Sequence, residues 1–483
     1  MRKKLEEKKS INFSEILGGS PILALDKTVL DRFSFSKDRV KSALESKDIT
    51  TLRQMSQYFY HNSGEYRRLV DYFGGILTND FVIIPQVNQK DMQKKQFERR
   101  FEEVLEYAKN SHIKETCSNI AKIVVRDGAF FGYERDLNGA ITIQVLPTAY
   151  CRSRFKVAGV FAVEFDFSFF NQYRGEELEE ALDAFPEEFT AMYATYLSDR
   201  INQRWQILDP HYARAHMFDD PIPMLAPVFL DLIELEDYKG IDKIKSKLDI
   251  YKIIVQKIPL NSDNELTFTL EELKQFHTNM RKMVTNSAVD VATTVCDTDV
   301  VDLQDKNQTT RSEIDKATNM IYSTAGTPMI LFNSGAKTGS VGLRESIRVD
   351  ENIVLPLLLQ YERWYRNKLD QISPNFSFKI MFPPITQFNR KEMMELYDKG
   401  ATQGFPTKLL TMAALGISQT DTDYLLNYEN DILELHKRMI PTSSSYQTPA
   451  EEGGRPQSED PLSDEGDKTR DQDKNKNRAG GAE

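Results

Sequence analysis

The segment around Lys337 contains the residue types of a phosphate-binding loop. The apolar run Pro328–Phe332 precedes Ala336-Lys337-Thr338, and a loop of this kind places its lysine on nucleotide phosphates. The motif needs glycines six residues before the lysine and directly before it, where this chain has Leu331 and Ala336. The pattern therefore does not indicate nucleotide hydrolysis, and the alternative is an ordinary surface loop between two helices.

A run of aspartates resembles part of a calcium-binding loop. Asp297, Asp299, Asp302 and Asp305 form an acidic run in which Asp297 and Asp299 match the first and third positions of a calcium loop, but the fifth position is Val301. The sixth position, which needs glycine for a sharp turn, is Asp302 itself. The pattern fails, and we interpret these residues as a solvated acidic edge.

Catalytic arrangements are missing from the sequence as well. His211 and His216 are five residues apart, which does not place them together on one helix face as a metal pair. Glu164 and Asp166 share one face of a predicted strand, but no base lies near them in the sequence. There is no Gly-x-Ser-x-Gly motif and no reactive-cysteine signature. We therefore expect no enzyme activity, no cofactor and no metal site.

Composition indicates a globular protein that is acidic overall. The chain has 483 residues, enough for two or more domains, and a net charge of −11 with a pI of about 5.3. Proteins that grip nucleic acid usually have a basic face, so any DNA partner would be held loosely. No apolar run is long enough to span a bilayer, and the charged N-terminus lacks the features of a signal peptide. Cys117, Cys151 and Cys296 have no paired spacing, which predicts reduced, buried thiols in a cytosolic compartment.

Periodicity predicts an α+β region over the first 220 residues. Helices are predicted over 27–61, 66–73, 95–125 and 175–199, and short strands at 81–85 and 205–208. A hairpin is predicted around Asn138-Gly139, because both residues accept the positive φ of a tight turn. The alternation of Phe161, Val163, Phe165, Phe167 and Phe169 with smaller or charged residues predicts one half-buried strand.

A long helix with a small insert follows. Residues 228–250 carry one apolar stripe and a densely charged outer face, and about 25 helical residues span roughly 37 Å. We interpret this helix as a strut, the alternative being a plain surface helix on a core. Strand-like runs at 252–258 and 290–303 flank a predicted helix at 269–284, and a further helix covers 308–324.

The stretch 326–372 organises the rest of the chain. A loop at 333–340, containing Gly335 and Gly339, precedes a long helical pattern over 341–372 that Pro356 must kink or divide. A strand at 376–382 is predicted to join the N-terminal sheets, and residues 390–438 are predicted to be helical. The tail beyond 441 lacks apolar clusters and is predicted to be disordered.

This order of parts resembles the portal proteins of tailed double-stranded DNA bacteriophages, particularly the type from long-tailed phages of Gram-positive hosts. The similarity covers most of residues 40–440, and no part of it is a catalytic fingerprint. The local sequences that carry it are YRRLVDYFGGILTNDFVIIP at 66–85, LDIYKIIVQKIPL at 248–260, residues 323–350, and FNRKEMMELYDKGATQGFPTKLLTMAALGIS at 388–418.

The resemblance implies an α+β, portal-like architecture with named parts. These are an N-terminal wing (1–220), a stem helix (221–250), a small α/β clip (251–305), a second stem helix (306–325), a tunnel loop (326–340), a long kinked helix with the return strand of the wing (341–389), a helical crown (390–440) and a disordered tail (441–483).

The resemblance also implies a function. Subunits of this family form a ring, normally of twelve, at one capsid vertex of the virion, after assembly in the host cytoplasm. The ring is the head–tail connector and the channel for DNA packaging and ejection. Double-stranded DNA passes through without sequence-specific binding. Its other partners would be terminase, a head-completion or adaptor protein, and the major capsid and scaffolding proteins, with no membrane involved.

Two groups of site residues follow from the resemblance. Lys337 is the one cation of the loop and the best candidate for transient phosphate contact. Arg344 and Arg348 lie in the next helical turns, and we expect them to pair with acidic neighbours instead. A scaffold or adaptor protein of the cytosol that forms no ring is the alternative function. The expected DNA-channel residues are Asn333, Ser334, Gly335, Lys337, Thr338, Gly339 and Ser340, and the expected partner-binding residues of the clip are Asp297, Asp299 and Asp302.

Overall fold

The computed structural model describes residues 36–137, 140–250, 252–257, 289–294, 309–332 and 340–438, with six isolated positions between 269 and 279. Helices and short antiparallel strands alternate irregularly, so the predicted α+β class is confirmed. The tail beyond 441 and the proposed clip, apart from its two strands and those isolated positions, lie outside the described residues.

Three capped helices form the N-terminal part. Ser36, Asp48 and Ser63 each accept a hydrogen bond from a backbone amide three residues later, which satisfies amides that the first helical turn leaves unpaired. The predicted helices at 48–60 and 66–73 are thus confirmed. The three helices are α1 (Lys37–Ser46), α2 (Ile49–Asn62) and α3 (Gly64–Gly75).

The predicted helical region over 95–125 is two helices with a turn between them. The second helix ends at Gly128, whose φ of 79° is strained for other residues. A Cβ there would lie 2.2 Å from the backbone of Ile222, so this close approach also needs glycine. The elements are β1 (Val82–Pro85), α4 (Gln89–Met92), α5 (Lys95–Asn110) and α6 (Ile113–Asp127).

The two strands of the predicted hairpin pair antiparallel, with Leu137 opposite Ala140, and the predicted turn residues 138–139 lie outside the described residues. Its first strand also pairs with a later strand, in the order β3-β2-β9. The strands are β2 (Ala129–Leu137) and β3 (Ala140–Val145), and β9 covers Ala213–Met217.

The single half-buried strand predicted over 161–169 is wrong. Phe161 ends one short strand, residues 164–166 form another, and the chain then turns into a 3₁₀ helix over Phe167–Gln172. Glu164 and Asp166 are as buried as the phenylalanines, because arginines supply partners for their charges. The short strands are β4 (Cys151–Arg152), β5 (Lys156–Val157), β6 (Val160–Phe161) and β7 (Glu164–Asp166).

The acidic helix predicted over 175–199 divides before Pro186. Its two halves cover an aromatic cluster built around Phe165, Phe170 and Phe189. The elements are α7 (Glu176–Asp183), α8 (Glu187–Ser198) and β8 (Trp205–Ile207), which pairs with β7.

The predicted long helix is present and leaves the core part-way along its length. Leu232 and Leu235 are buried, whereas Ile241 on the same stripe is 47% exposed. Its 22 residues span about 33 Å. A parallel pair of strands and a returning helix follow, which confirms the predicted strand at 252–258 and the helix at 308–324. The elements are α9 (Phe229–Ile250), β10 (Lys252–Lys257), β11 (Val289–Thr294) and α10 (Thr309–Thr324).

Pro356 divides the last long pattern into two helices, as predicted. Its missing amide falls in the first turn of the second helix, where no intrahelical partner is needed. Two polar contacts hold the second helix against the core. Gln360 donates a hydrogen bond to the carbonyl of Met217 at 2.8 Å, and Lys368 forms an ion pair with Glu134 at 2.8 Å. The helices are α11 (Ser340–Val354) and α12 (Pro356–Ile372).

The return strand pairs with the N-terminal part, as predicted. β12 (Phe378–Met381) runs antiparallel to β1, with Val82 opposite Met381. Helices follow over most of 390–438, as predicted, and from Asp423 onward they belong to a separate compact unit. They are α13 (Arg390–Thr402), α14 (Lys408–Leu415), α15 (Gln419–Leu426), a π-helix (Asn427–Ile432) and α16 (Leu435–Arg438).

Candidate functional site

Most residues predicted to form sites lie outside the described part of the chain. Asn333, Ser334, Gly335, Lys337, Thr338 and Gly339 fall in one gap, and Asp297, Asp299 and Asp302 fall in another. Ser340 is described, as the first residue of α11. The candidate site is therefore built from the residues that hold the two ends of the 333–339 segment, Phe332 and helix α11.

Phe332 is held by two aromatic rings. Pro328 begins a short 3₁₀ helix over Met329–Leu331, and Phe332 follows it directly. The Phe332 ring stacks on Tyr322 of α10, with centroids 4.8 Å apart and planes 7° from parallel. Tyr72 of α3 meets the same ring edge-on, at 5.4 Å. Stacked and edge-on pairs are favourable ring geometries, so the chain is fixed where it leaves α10.

Arg68 holds the backbone at the same place. Its guanidinium donates to the carbonyl of Phe332 at 3.1 Å and to that of Leu331 at 3.5 Å. It also lies 5.5 Å from the centre of the Phe332 ring. A cation at these carbonyls satisfies acceptors that the end of the 3₁₀ turn leaves unpaired.

Helix α11, at the other end of the segment, is fixed through Asp350. The Tyr72 hydroxyl donates to Asp350 Oδ2 at 2.8 Å, so one tyrosine contacts both Phe332 before the segment and the helix after it. Burial raises the pKa of Asp350 to about 6, although the hydrogen bond from Tyr72 acts in the opposite direction. Burial also raises the pKa of Tyr72 itself. The hydroxyl therefore stays protonated and remains a donor at neutral pH.

Glu351 ties α11 to the segment before α13. The Thr386 hydroxyl donates to Glu351 Oε1, and both residues are buried. Thr386 Oγ1 in turn accepts from the amides of Phe388 and Asn389, and Thr386 bridges to Leu77 after α3. Two consecutive buried carboxyl groups thus fix α11 on two sides.

Arg344 and Arg348 pair with acidic neighbours, as the sequence predicted. Arg344 lies 2.7 Å from Glu392 of α13, and Arg348 lies 3.3 Å from the same carboxylate and 3.2 Å from Glu345. All four side chains are well exposed, and such pairs stabilise a fold by about 0–1 kcal/mol each. Their charges are engaged at the surface of this subunit.

Glu164 and Asp166 do not form an acid–base pair. Arg152 and Arg154 bind Glu164, each at 2.6 Å, and Arg204 binds Asp166 at 2.7 Å. Burial favours the neutral carboxyls, but the arginine hydrogen bonds outweigh it and hold both pKa values below their usual range. Two permanently ionised carboxylates are suited to structural ion pairs and not to proton transfer.

The histidines and cysteines have structural surroundings. His216 is buried beside Arg214, and burial together with that cation lowers the pKa of His216 well below its usual value. His211 lies 2.8 Å from Asp209. Burial raises the pKa of Cys117 to about 12 and that of Cys151 well above its ordinary value, so both thiols are unreactive.

No group of metal-ligating side chains occurs among the described residues, and none of the described helices is long and apolar enough to cross a membrane. Cys296 lies outside the described residues.

Arg68 and Tyr72 were missed as site residues by sequence reasoning. The one local signal is their spacing of four, which places both on the same face of α3. Their partners are more than 250 residues away in the sequence, and no local pattern connects them.

Comparisons with known proteins give a distant structural similarity. No protein-family model matches this sequence, and no curated protein matches it. A chain from the virion of the native gene transfer agent (GTA) particle is similar, with TM-score 0.40, 12% identity, and 77% of this chain and 93% of that chain covered. A chain from the neck of the empty GTA particle computed with C6 symmetry has TM-score 0.41, 12% identity and coverages of 77% and 94%. A chain from the neck of the native GTA particle computed with C12 symmetry has TM-score 0.41, 13% identity and coverages of 77% and 93%.

Proposed function

We propose that this protein is a phage portal protein, a subunit of a ring at one capsid vertex through which DNA is packaged and ejected. One observation carries the proposal. Helices α9 and α10 leave and rejoin an α+β body, with the parallel strands β10 and β11 between them in the chain. The chain then continues through α11 and α12 and returns to pair β12 with β1. This is the order of stem, clip, kinked helix and wing that the sequence resemblance implies.

The acidic composition supports a channel. A net charge of −11 on each subunit, repeated around a ring, disfavours tight binding of the DNA backbone, so DNA slides without being held. In this proposal Lys337 brings one exchangeable phosphate contact per subunit into the bore. The anchored residues Phe332 and Asp350 support this role, because they fix the residue before the segment that contains Lys337 and the helix after it.

The ring also meets other proteins in this proposal. Residues 251–305 would dock terminase during packaging and a head-completion or adaptor protein afterwards, with Asp297, Asp299 and Asp302 at that surface. The major capsid and scaffolding proteins would surround the ring in the virion.

Few apolar side chains of α11 and α12 are exposed and available for ring contacts. The aromatic residues of α12, including Tyr361, Trp364 and Tyr365, are buried in the core of their own chain. The exposed apolar side chains of the two helices are Val341, Val349, Ile353 and Leu359. These remain as candidates for side-to-side contact with a second copy, of the heterologous kind that closes into a ring.

Particle size tests the proposal. Native mass spectrometry of the purified full chain at micromolar concentration should give a closed oligomer many times 55.6 kDa, and negative-stain images should show rings. The variant Val349→Glu should weaken assembly, whereas Ile201→Glu, at an even more exposed apolar position in the wing region, is the matched control. A wild-type chain that is only monomeric or dimeric would favour the adaptor function instead.

A further inference from the structure

Helix α3 presents three polar side chains along one face. Glu65, Arg68 and Tyr72 follow each other at spacings of three and four residues, which places them in one row on a helix. Each of the three contacts a different element of the fold. Two of those elements, α9 and α11, make no direct polar contact with each other among the described residues.

Glu65 contacts the long helix α9 beyond the point where that helix leaves the core. Its carboxylate lies 2.8 Å from Lys239, four residues past the buried Leu235. Nearer the core, the buried ring of Tyr66 lies 5.7 Å from Phe229, the first residue of α9. Helix α3 is therefore joined to α9 at two levels, one in the core and one near the surface.

Arg68 and Tyr72 contact the other two elements. Arg68 binds the carbonyls of Leu331 and Phe332, and Tyr72 contacts both the Phe332 ring and the Asp350 carboxyl. Because hydrogen bonds weaken steeply with distance and angle, a small displacement of α3 changes all these contacts together.

Helix α3 is packed tightly enough to move as a unit. Gly74 lies so close to α6 that an added Cβ would be 2.8 Å from the Cα of Lys122. The Tyr66 hydroxyl also shares a 2.8 Å hydrogen bond with Ser56 of α2. Close-packed elements transmit displacement because they deform little.

We propose that α3 couples α9 to α11, with Glu65, Arg68 and Tyr72 as positioning residues. Displacement of α9 at Lys239 is transmitted along α3 to Phe332 and Asp350. A partner that moves α9 thereby changes how α11 is held. The consequence for DNA passage rests on the proposed function, whereas the coupling itself belongs to the subunit.

The mobility of α11 tests the coupling. A nitroxide probe on Asn352→Cys, an exposed position of α11, is introduced into the full chain with Cys296→Ser, while Cys117 and Cys151 stay buried. In Tyr72→Phe, which keeps the ring but removes the hydroxyl, we expect loss of part of the immobilised spectral component. In Lys239→Met, which removes the partner of Glu65 on α9, we expect a loss of the same spectral component.

Two matched controls lie beside the row. Tyr60→Phe removes a tyrosine–carboxylate hydrogen bond to Asp71, and Arg67→Met removes a cation from the neighbouring position of α3. Among the described residues, neither side chain forms a hydrogen bond, ion pair or ring contact with α9 or α11, so the probe spectrum should stay as in the wild type. If Tyr72→Phe unfolds the chain, Arg68→Met replaces it as the near-end variant.

The outcomes separate coupling from simple anchoring. A probe that responds to Tyr72→Phe but not to Lys239→Met overturns the proposal, and so does a probe that responds to neither. Particle size is measured on the same samples without DNA. A monomeric chain whose probe responds to both variants contradicts the proposed ring and supports the coupling. A ring whose probe responds to neither variant supports the proposed ring and overturns the coupling.

Discussion

The guanidinium carbon of Arg214 lies 3.9 Å from the centre of the Trp364 ring, and both residues are buried. Arg214 Nε also donates to His216 at 3.2 Å, and Nη1 donates to the Tyr365 hydroxyl at 3.4 Å. No carboxylate of the described residues forms an ion pair with this cation. The aromatic face and these hydrogen bonds therefore hold a buried charge between β9 and α12.

Arg214→Lys should destabilise the fold strongly. Lysine lacks the planar fork that stacks on Trp364 and reaches two acceptors, so the buried charge loses its partners. We expect a loss of about 3 kcal/mol in the free energy of unfolding, measured by chemical denaturation. Arg67→Lys, an exposed cation 3.8 Å from Asp71, is the control and should change this energy little. Equal losses in the two variants would contradict the role given to Trp364.

Asp350→Asn should change the pH dependence of stability. The folded-state pKa is raised from 3.8 to about 6 by burial. The carboxyl therefore stabilises the fold fully below about pH 4, and this contribution is lost as the pH rises through about 6. Asparagine cannot ionise and does not lose stability in this way. The free energy of unfolding of the variant, relative to the wild type, should therefore rise by about 1–3 kcal/mol between about pH 4 and pH 8. Melting curves across that range measure the gain. The exposed Asp38→Asn should show no such trend, and a flat difference for Asp350→Asn would reject the prediction.

Asp80→Asn should loosen helix α13. The buried Asp80 carboxylate accepts from Lys114 at 2.6 Å and from Arg390, the first residue of α13, at 2.8 Å. Removing its charge leaves two cations without their shared partner, at a cost of roughly 1–3 kcal/mol. Hydrogen exchange should show faster exchange of α13 amides. Asp91→Asn removes an exposed carboxylate paired with Lys94, and there α13 should exchange as in the wild type.

Lys337→Glu should reduce DNA retention without affecting assembly. In the proposed channel it replaces the one cation of the segment by an anion that repels phosphate. The amount of DNase-protected DNA in particles carrying the variant ring should fall, while particle size stays constant. Lys94→Glu, far from this segment in the chain, provides the control. If particles with Lys337→Glu contained as much DNA as the wild type, the segment would be interpreted as an ordinary surface loop.

Charge reversal at Asp297, Asp299 and Asp302 should weaken partner binding while the ring remains intact. The carboxylates would meet terminase or the adaptor protein across a charged surface, and opposite charges there would repel the partner. A pull-down with purified terminase measures the loss. The matched control reverses three acidic residues at the start of α7: Glu176, Glu177 and Glu179. If the variant reversed at the three aspartates bound terminase normally, these residues would be interpreted as a solvated acidic edge with no part in binding.

Periodicity predicted the local elements of this fold well. The break at Pro356 and the pairing of Leu137 with Ala140 follow from backbone chemistry that neighbouring residues determine. The strand over 161–169 was wrong because alternating charge was taken as a solvent-facing side. Arg204, 38 residues beyond Asp166, supplies the partner that allows burial.

The candidate site was less predictable than the fold. Arg68 and Tyr72 gain their roles from Phe332 and Asp350, and one sequence contains no sign of pairing over such separations. The burial of the aromatic residues of α12 within their own chain could not be predicted either. A buried face in one chain and an interface between chains have the same apolar period.

The pairing of β1 with β12 sets an order of events during synthesis. Val82 leaves the ribosome roughly 300 residues before Met381, its partner, which is on the order of 15–60 s at about 5–20 residues per second. During that interval the edge of β1 lacks the strand that completes it, and unpaired edges are templates for association between chains. Pro85 ends β1 and removes one backbone donor from that edge. A nascent chain of this protein is therefore expected to need chaperone protection until residue 381 has emerged.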